Sequence, residues 1–169
     1  RSPASIWYQR SLLELGRLLY RRGKYDEAII RLHEYMQRYP GDAEVLSARY
    51  LVASSVRHQG LQALGRSFEA VRLSDKDAQR EIYRQKLQSA IQDFRRLIPD
   101  YEALASEAMT SLRTEEYRDV LFGLADSQYD LGQYDDAIKT HNVIVHRFQN
   151  SPCAMSAYVQ LASAYEAQG

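Results

Sequence analysis

The residues best suited to chemistry are four histidines, one cysteine and a few acidic pairs. His33, His58, His141 and His146 could bind a metal or move protons. No two of them stand at the i, i+4 spacing of a helical zinc site, and Cys153 is the single thiol available to join them. They read instead as solvated or packed histidines. Cys153 follows Pro152 near an expected helix start, where a thiol pKa can fall, but a small buried core residue is the simpler reading. Asp135-Asp136 and Glu115-Glu116 also fall at expected helix starts, where the positive end of the helix dipole favours carboxylates. No phosphate-binding glycine loop and no nucleophile elbow is present. The sequence therefore points away from catalysis, with no catalytic residue, cofactor or metal site expected.

The elements that would carry such residues are helical. Of 169 residues only four are proline and eight glycine, too few for the turns of an all-β protein. The apolar fraction of 45% and charged fraction of 26% suit a folded chain. Thirteen tyrosines against four phenylalanines favour half-buried helix faces, where the ring packs and the hydroxyl stays wet. No apolar run approaches a membrane span. The chain opens Arg1-Ser2-Pro3 without a signal peptide and reads as a piece of a longer protein.

Net charge is zero, which argues against non-specific nucleic-acid or membrane-surface binding. The charges are nonetheless segregated. Residues 1–98 hold 18 Lys/Arg against 11 Asp/Glu and residues 99–169 hold 4 against 11, a split of +7 and −7. Self-association through the oppositely charged halves is one consequence to expect.

The chain repeats itself. Gly23-Lys24-Tyr25-Asp26-Glu27-Ala28-Ile29 is matched by Gly132-Gln133-Tyr134-Asp135-Asp136-Ala137-Ile138. Each follows a helical stretch (Leu12, Leu15, Gly16, Leu19; then Leu121, Leu124, Ala125, Gln128) and precedes a second one (Ala28, Leu32, Tyr35; then Ala137, His141, Ile144). Small residues at Gly16, Ala53, Ala125 and Ala162 allow close approach of antiparallel helices. Gly23 and Gly132 suit a left-handed helix C-cap, and Pro40 closes the first unit. Gly23 to Gly60 and Gly132 to Gly169 are equal intervals of 37 residues, so Gly60 is expected to end a helix as well.

Leu87-x-x-Ala90-Ile91-x-x-Phe94-x-x-Leu97-Ile98-Pro99 has the second-helix pattern, which makes the middle unit enlarged. Ser74 with Asp77 reads as a capping box and Thr114 as an N-cap. The excess is expected to form an ordered helical arm or extra helix over about 61–86.

These residues resemble the tetratricopeptide repeat family, whose unit carries Leu-Gly, Gly-x-Tyr-x-x-Ala and a closing Pro. The resemblance implies an all-α fold, a right-handed helical solenoid with an enlarged middle repeat. It gives one domain over 1–169, with units near 9–42, 43–99 (insertion about 61–86) and 115–150, and a half-unit at 153–168. The spacing is similar to that of tetratricopeptide proteins of the bacterial envelope, such as an outer-membrane-assembly lipoprotein and a cell-division coordinator, which would imply a periplasmic or envelope setting.

In that family the first helix of each unit lines a concave groove. Carried over, the groove would present Arg10, Leu13, Arg17, Tyr20 and Arg21; then Ser47, Tyr50, Ser54 and Arg57; then Asp119, Phe122, Asp126, Tyr129 and Asp130; and finally Ser156, Val159, Ser163 and Glu166. The Asn/Lys carboxylate clamp of chaperone-binding relatives is missing, since Arg17, Ser54 and Asp126 occupy one of its recurring positions. The implied function is a non-catalytic scaffold that binds a protein or peptide partner, with no nucleic acid, no cofactor and no membrane insertion. A structural or oligomerisation module, or an accessory domain of a larger enzyme, are the alternatives.

Overall fold

A computed structural model describes residues 3–104 and 109–169, with side chains from Trp7 onward. The described residues form seven helices and no strand: α1 (Pro3–Arg21), α2 (Tyr25–Arg38), α3 (Val45–Glu69), α4 (Leu73–Glu102), α5 (Ser111–Asp130), α6 (Tyr134–Arg147) and α7 (Cys153–Gln168). The all-α class expected from the sequence is what the chain adopts. It divides into two compact units, Arg1–Lys86 and Leu87–Gly169, with the boundary inside α4.

In the first unit α2 packs on both α1 and α3, and α1 also touches α3. Ala28, Leu32 and Tyr35 recur at helical spacing on α2 and are fully enclosed, joined by Leu12, Leu13, Leu19, Ala48 and Val52. Each buried leucine of this set contributes about 1.5–3 kcal/mol relative to exposure. Leu32 lies directly over Gly16, where a Cβ would stand 2.6 Å from Cδ2, so only glycine admits this approach. In the second unit α6 packs on α5 and α7, and Phe94 of α4 seats its ring on Gly123 of α5 in the same manner.

The two glycine turns behave as their sequence implies. Gly23 and Gly132 have φ of 72° and 74°. Gly23 N–H donates to Tyr20 O and Lys24 N–H to Leu19 O. Gly132 N–H donates to Tyr129 O and Gln133 N–H to Gln128 O. This is the Schellman pattern, which satisfies carbonyls left over at the helix end.

Four local expectations are corrected. Gly60 does not end a helix: it is buried inside α3, which runs nine residues further, to Glu69. Without a following residue able to stop it, and with Ala63 and Ser67 buried in turn, the helix continues. Pro99 does not close the second-helix pattern, because α4 runs on to Glu102. Ser74 lies within α4, which begins at Leu73, and its hydroxyl meets Asp75 rather than capping. The N-cap of α5 is Thr110, not Thr114: the Thr110 hydroxyl accepts from Arg113 N–H at 3.3 Å, while the Thr114 hydroxyl donates back to Thr110 O at 3.0 Å.

Residues 61–86 fall on the last turns of α3, a short connection at 70–72 and the first half of α4. These two arms are antiparallel. Arg66 Nε donates to Gln79 Oε1 at 2.9 Å, and Lys86 Nζ donates to Gln59 Oε1 at 2.7 Å. Phe68, Val71 and Leu73 are exposed at the tip.

Candidate functional site

The residues expected to line a groove fall into a set on each unit. In the first unit Arg10 and Arg21 are exposed on α1, and Tyr50 and Arg57 are half-buried on α3. Arg17 is committed within the protein: one guanidinium nitrogen meets Glu14 at 2.7 Å and another meets Glu44, at the start of α3, at 2.6 Å. Burial opposes that charge, but the two carboxylates outweigh it and raise the Arg17 pKa. Leu13 is a correction to the expected apolar stripe, since at 4% exposure it belongs to the core. It joins a core built from α1, α2 and α3, which periodicity along one helix cannot reveal.

Tyr20 belongs to an aromatic cluster. Its ring meets Tyr25 edge-on at 5.8 Å and His58 edge-on at 5.7 Å, while Tyr25 and His58 stack at 5.0 Å. His58 Nδ1 is 2.7 Å from Ser54 O, one turn back on α3. This histidine braces three helices together and does not resemble a catalytic base.

In the second unit Asp119 is 2.9 Å from Arg118, its own neighbour in sequence. Tyr129 meets Tyr134 edge-on at 5.4 Å, repeating the Tyr20–Tyr25 pair. Phe122 is half-buried and lies 6.3 Å from the ring of His141. Asp126 is half-buried and Asp130 exposed. On α7, Val159 is exposed.

Several of the groups that suggested chemistry are held in structural contacts. Asp136 pairs with Arg95 at 3.0 Å and with Lys139 at 3.5 Å. Glu116, nearly buried, meets Arg113 at 2.9 Å and accepts from the Tyr101 hydroxyl at 3.1 Å. His141 is 1% exposed, its Nδ1 lacks a hydrogen-bond partner, and burial lowers its pKa. His33 and His146 are exposed, and Cys153 is half-exposed, not the buried core residue expected. Among the described residues no group of three His, Cys, Asp or Glu could hold a metal ion. Nor is any described helix long and apolar enough to cross a membrane.

The contacts themselves repeat at a constant offset of 109 residues. Asp26 accepts from Gln59 at 2.7 Å, and Asp135 accepts from Gln168. Arg38 lies 5.5 Å over the ring of Tyr8, and Arg147 lies 4.7 Å over that of Tyr117. Residues 10–42 and 119–151 each match the tetratricopeptide repeat model. The two matches differ by the same offset, one in each unit. Together with the all-α fold they support a tetratricopeptide-repeat protein of helical-repeat architecture. Such repeats generally mediate protein–protein interaction, and nothing among the described residues shows catalytic activity. No curated protein matches the chain.

Sequence reading missed the side chains that couple neighbouring helices: Gln59 between Asp26 and Lys86, and Tyr8 with Arg38. The first of these was recoverable. Extending the offset through α3 and α7 pairs Gln59 with Gln168 and Asp26 with Asp135.

Proposed function

We propose that the chain is a non-catalytic scaffold that holds a partner segment on the inner faces of its first helices. The observation that supports this reading most directly is the pair of tetratricopeptide matches, since such repeats work through protein contact. The repeat division carried with the proposal is 9–42, 43–99, 115–150 and a half-unit at 153–168. The spacing resemblance extends it to a bacterial envelope assembly as the setting.

Each unit offers its own chemistry. In the first, Arg10 and Arg21 are exposed cations on α1, the helix that also carries Tyr20, with Tyr50 and Arg57 on α3 completing the surface. It suits an acidic segment, because guanidinium groups fork onto carboxylates. Arg17 contributes by positioning Glu44 and the start of α3. In the second, Asp119, Asp126 and Asp130 with Phe122 and Tyr129 suit a basic segment. At polar surfaces of this kind complementarity acts mainly through association rate and specificity.

Fluorescence anisotropy with labelled acidic and basic peptides tests the reading. Arg10→Glu with Arg21→Glu should weaken the acidic peptide and flatten its salt dependence, with circular dichroism unchanged. Equal affinity in the variant would remove the first-unit face from consideration. Phe122→Ala should hasten release of the basic peptide, as loss of an aromatic anchor does.

A further inference from the structure

Each compact unit leaves an apolar stripe open. On α1, Tyr8, Ser11, Leu15 and Leu18 stand at i, i+3, i+7 and i+10 and are all exposed, Leu15 and Leu18 at 40%, with Trp7 beside them at 68%. On α7, Met155, Tyr158, Ala162 and Tyr165 repeat that spacing and are as open: Met155 is 71% exposed, Tyr158 54% and Tyr165 53%. Neither stripe belongs to the buried side of its helix, which holds Leu12, Leu13 and Leu19 on α1 and Ala154, Ala157 and Ala164 on α7. The shared spacing is that of the seam along which two helices pack, and extended apolar stripes left open mark interaction surfaces.

Charge selects the cover. The unit Arg1–Lys86 holds 16 Lys/Arg against 10 Asp/Glu, a net of +6, and Leu87–Gly169 holds 6 against 12, a net of −6. The two helices follow their units: α1 carries Arg10, Arg17 and Arg21 with Glu14, whereas Glu166 is the one charged residue of α7. Two copies meeting through α1 on both sides would set one positive unit against another. Meeting through α7 on both sides would oppose two negative units, and like charges brought together cost free energy. Only α7 against α1 brings opposite charges together. The Tyr8 ring is already held by its hydrogen bond to Glu34 at 3.0 Å and by Arg38 over its face, so docking orders little there.

We propose that α7 of one copy docks along α1 of a second copy, a heterologous contact in which one patch meets a different one. The apolar stripes form its seam, and the opposite unit charges steer and orient it. Four stripe positions a side are few against the roughly 20–30 residues a side of a standard interface, so the contact is weak. Its population rises with protein concentration and falls with salt. None of Tyr8, Leu15, Leu18, Met155, Tyr158 or Tyr165 is a groove residue of the proposed scaffold function, which this contact leaves free.

Sedimentation velocity of the full chain at low salt, from micromolar to millimolar, tests the proposal. Emission from Trp7, the single tryptophan, gives a second readout. The sedimentation coefficient should rise with concentration together with a blue shift of Trp7, and high salt should reverse both. Leu15→Glu with Leu18→Glu blocks α1, and Met155→Glu with Tyr158→Glu blocks α7. All four sites are exposed, so circular dichroism should not change, and Leu18→Gln and Tyr158→Gln replace a double variant that folds poorly. Each blocked variant alone should associate about tenfold or more weakly. The two mixed should form a one-to-one dimer, because one retains an intact α7 and the other an intact α1. The α7 variant keeps every arginine and aspartate of the groove and should bind the acidic and basic peptides as before, so this proposal and the scaffold reading fail separately. A monomer at every concentration would overturn the proposal and leave both stripes to another protein. Full association of either blocked variant by itself would overturn it in favour of a symmetric pairing, and a mixture that stays monomeric would overturn it as well.

Discussion

Arg38 lies over the ring of Tyr8, and the same cation–ring pairing recurs 109 residues later between Arg147 and Tyr117. The two differ in their surroundings. Burial, and then the hydrogen bond to Glu102, push the Tyr117 hydroxyl up to about 12. At Tyr8 the pKa is raised chiefly by the hydrogen bond to Glu34, and the same bond leads in lowering that of Glu34. One contact geometry thus serves a covered helix and an open one.

The Gly16–Leu32 contact sets a size limit. A Cβ at residue 16 would stand 2.6 and 2.8 Å from Leu32 Cδ2 and Cγ. Gly16→Ala should therefore destabilise the first unit by about 1–3 kcal/mol through overpacking, despite alanine's better helix propensity. Gly65→Ala, where nothing lies within 4 Å, should instead stabilise by about 0.5–1 kcal/mol. Urea unfolding of both variants checks the pair.

His141 makes stability depend on pH. Its folded pKa lies below the ordinary histidine value of about 6.5 because the buried imidazole resists charge. The unfolded chain then binds more protons in this range, so stability is full above that value and falls as pH drops toward the folded pKa. Its counterpart pair in the first unit is Gly16 with Leu32. Ala125→Gly combined with His141→Leu should flatten the fall in Tm between neutral and mildly acidic pH. An unchanged slope would assign the dependence to another group.

The start of α5 rests on two supports that differ in size. Thr110→Ala removes the N-cap and should cost about 1 kcal/mol. Glu116→Ala leaves Arg113 buried without its 2.9 Å carboxylate and should cost about 3–5 kcal/mol. Thermal unfolding orders them, and a reversal would mean that water reaches Arg113.

Gly132 at φ 74° should resist substitution although nothing crowds it. Gly132→Ala is expected to cost about 1–2 kcal/mol from the left-handed backbone alone. Differential scanning calorimetry of the variant measures it.

Register was legible in the sequence, and termini were not. The glycine interval aligned Gly60 with Gly169 correctly, as the matching Gln59–Asp26 and Gln168–Asp135 bonds demonstrate. It failed as a stop signal, because a glycine ends a helix only where the chain turns into φ > 0, and Gly60 stays helical. Thr114 failed for a related reason: two threonines one turn apart offer the same cap, and the choice depends on where the chain arrives. Side-chain roles were least legible. Arg17 reads as a groove cation, yet Glu44, 27 residues away, claims it. Leu13 reads as groove lining, yet it is buried in the core of the first unit.

The paired bonds between the arms of α3 and α4 stand seven residues apart on each arm, Gln59 to Arg66 and Gln79 to Lys86. Seven residues are close to two helical turns, so the hairpin works as a ladder whose rungs keep one phase. Length can then be added or removed at its tip in matched segments of about two turns per arm, with every lower rung undisturbed. A deletion from one arm only would rotate the remainder by roughly 100° per residue and carry Lys86 away from Gln59. Inheritable changes in the reach of this arm are therefore restricted to paired steps, a quantised form of growth that leaves the repeats beneath it untouched.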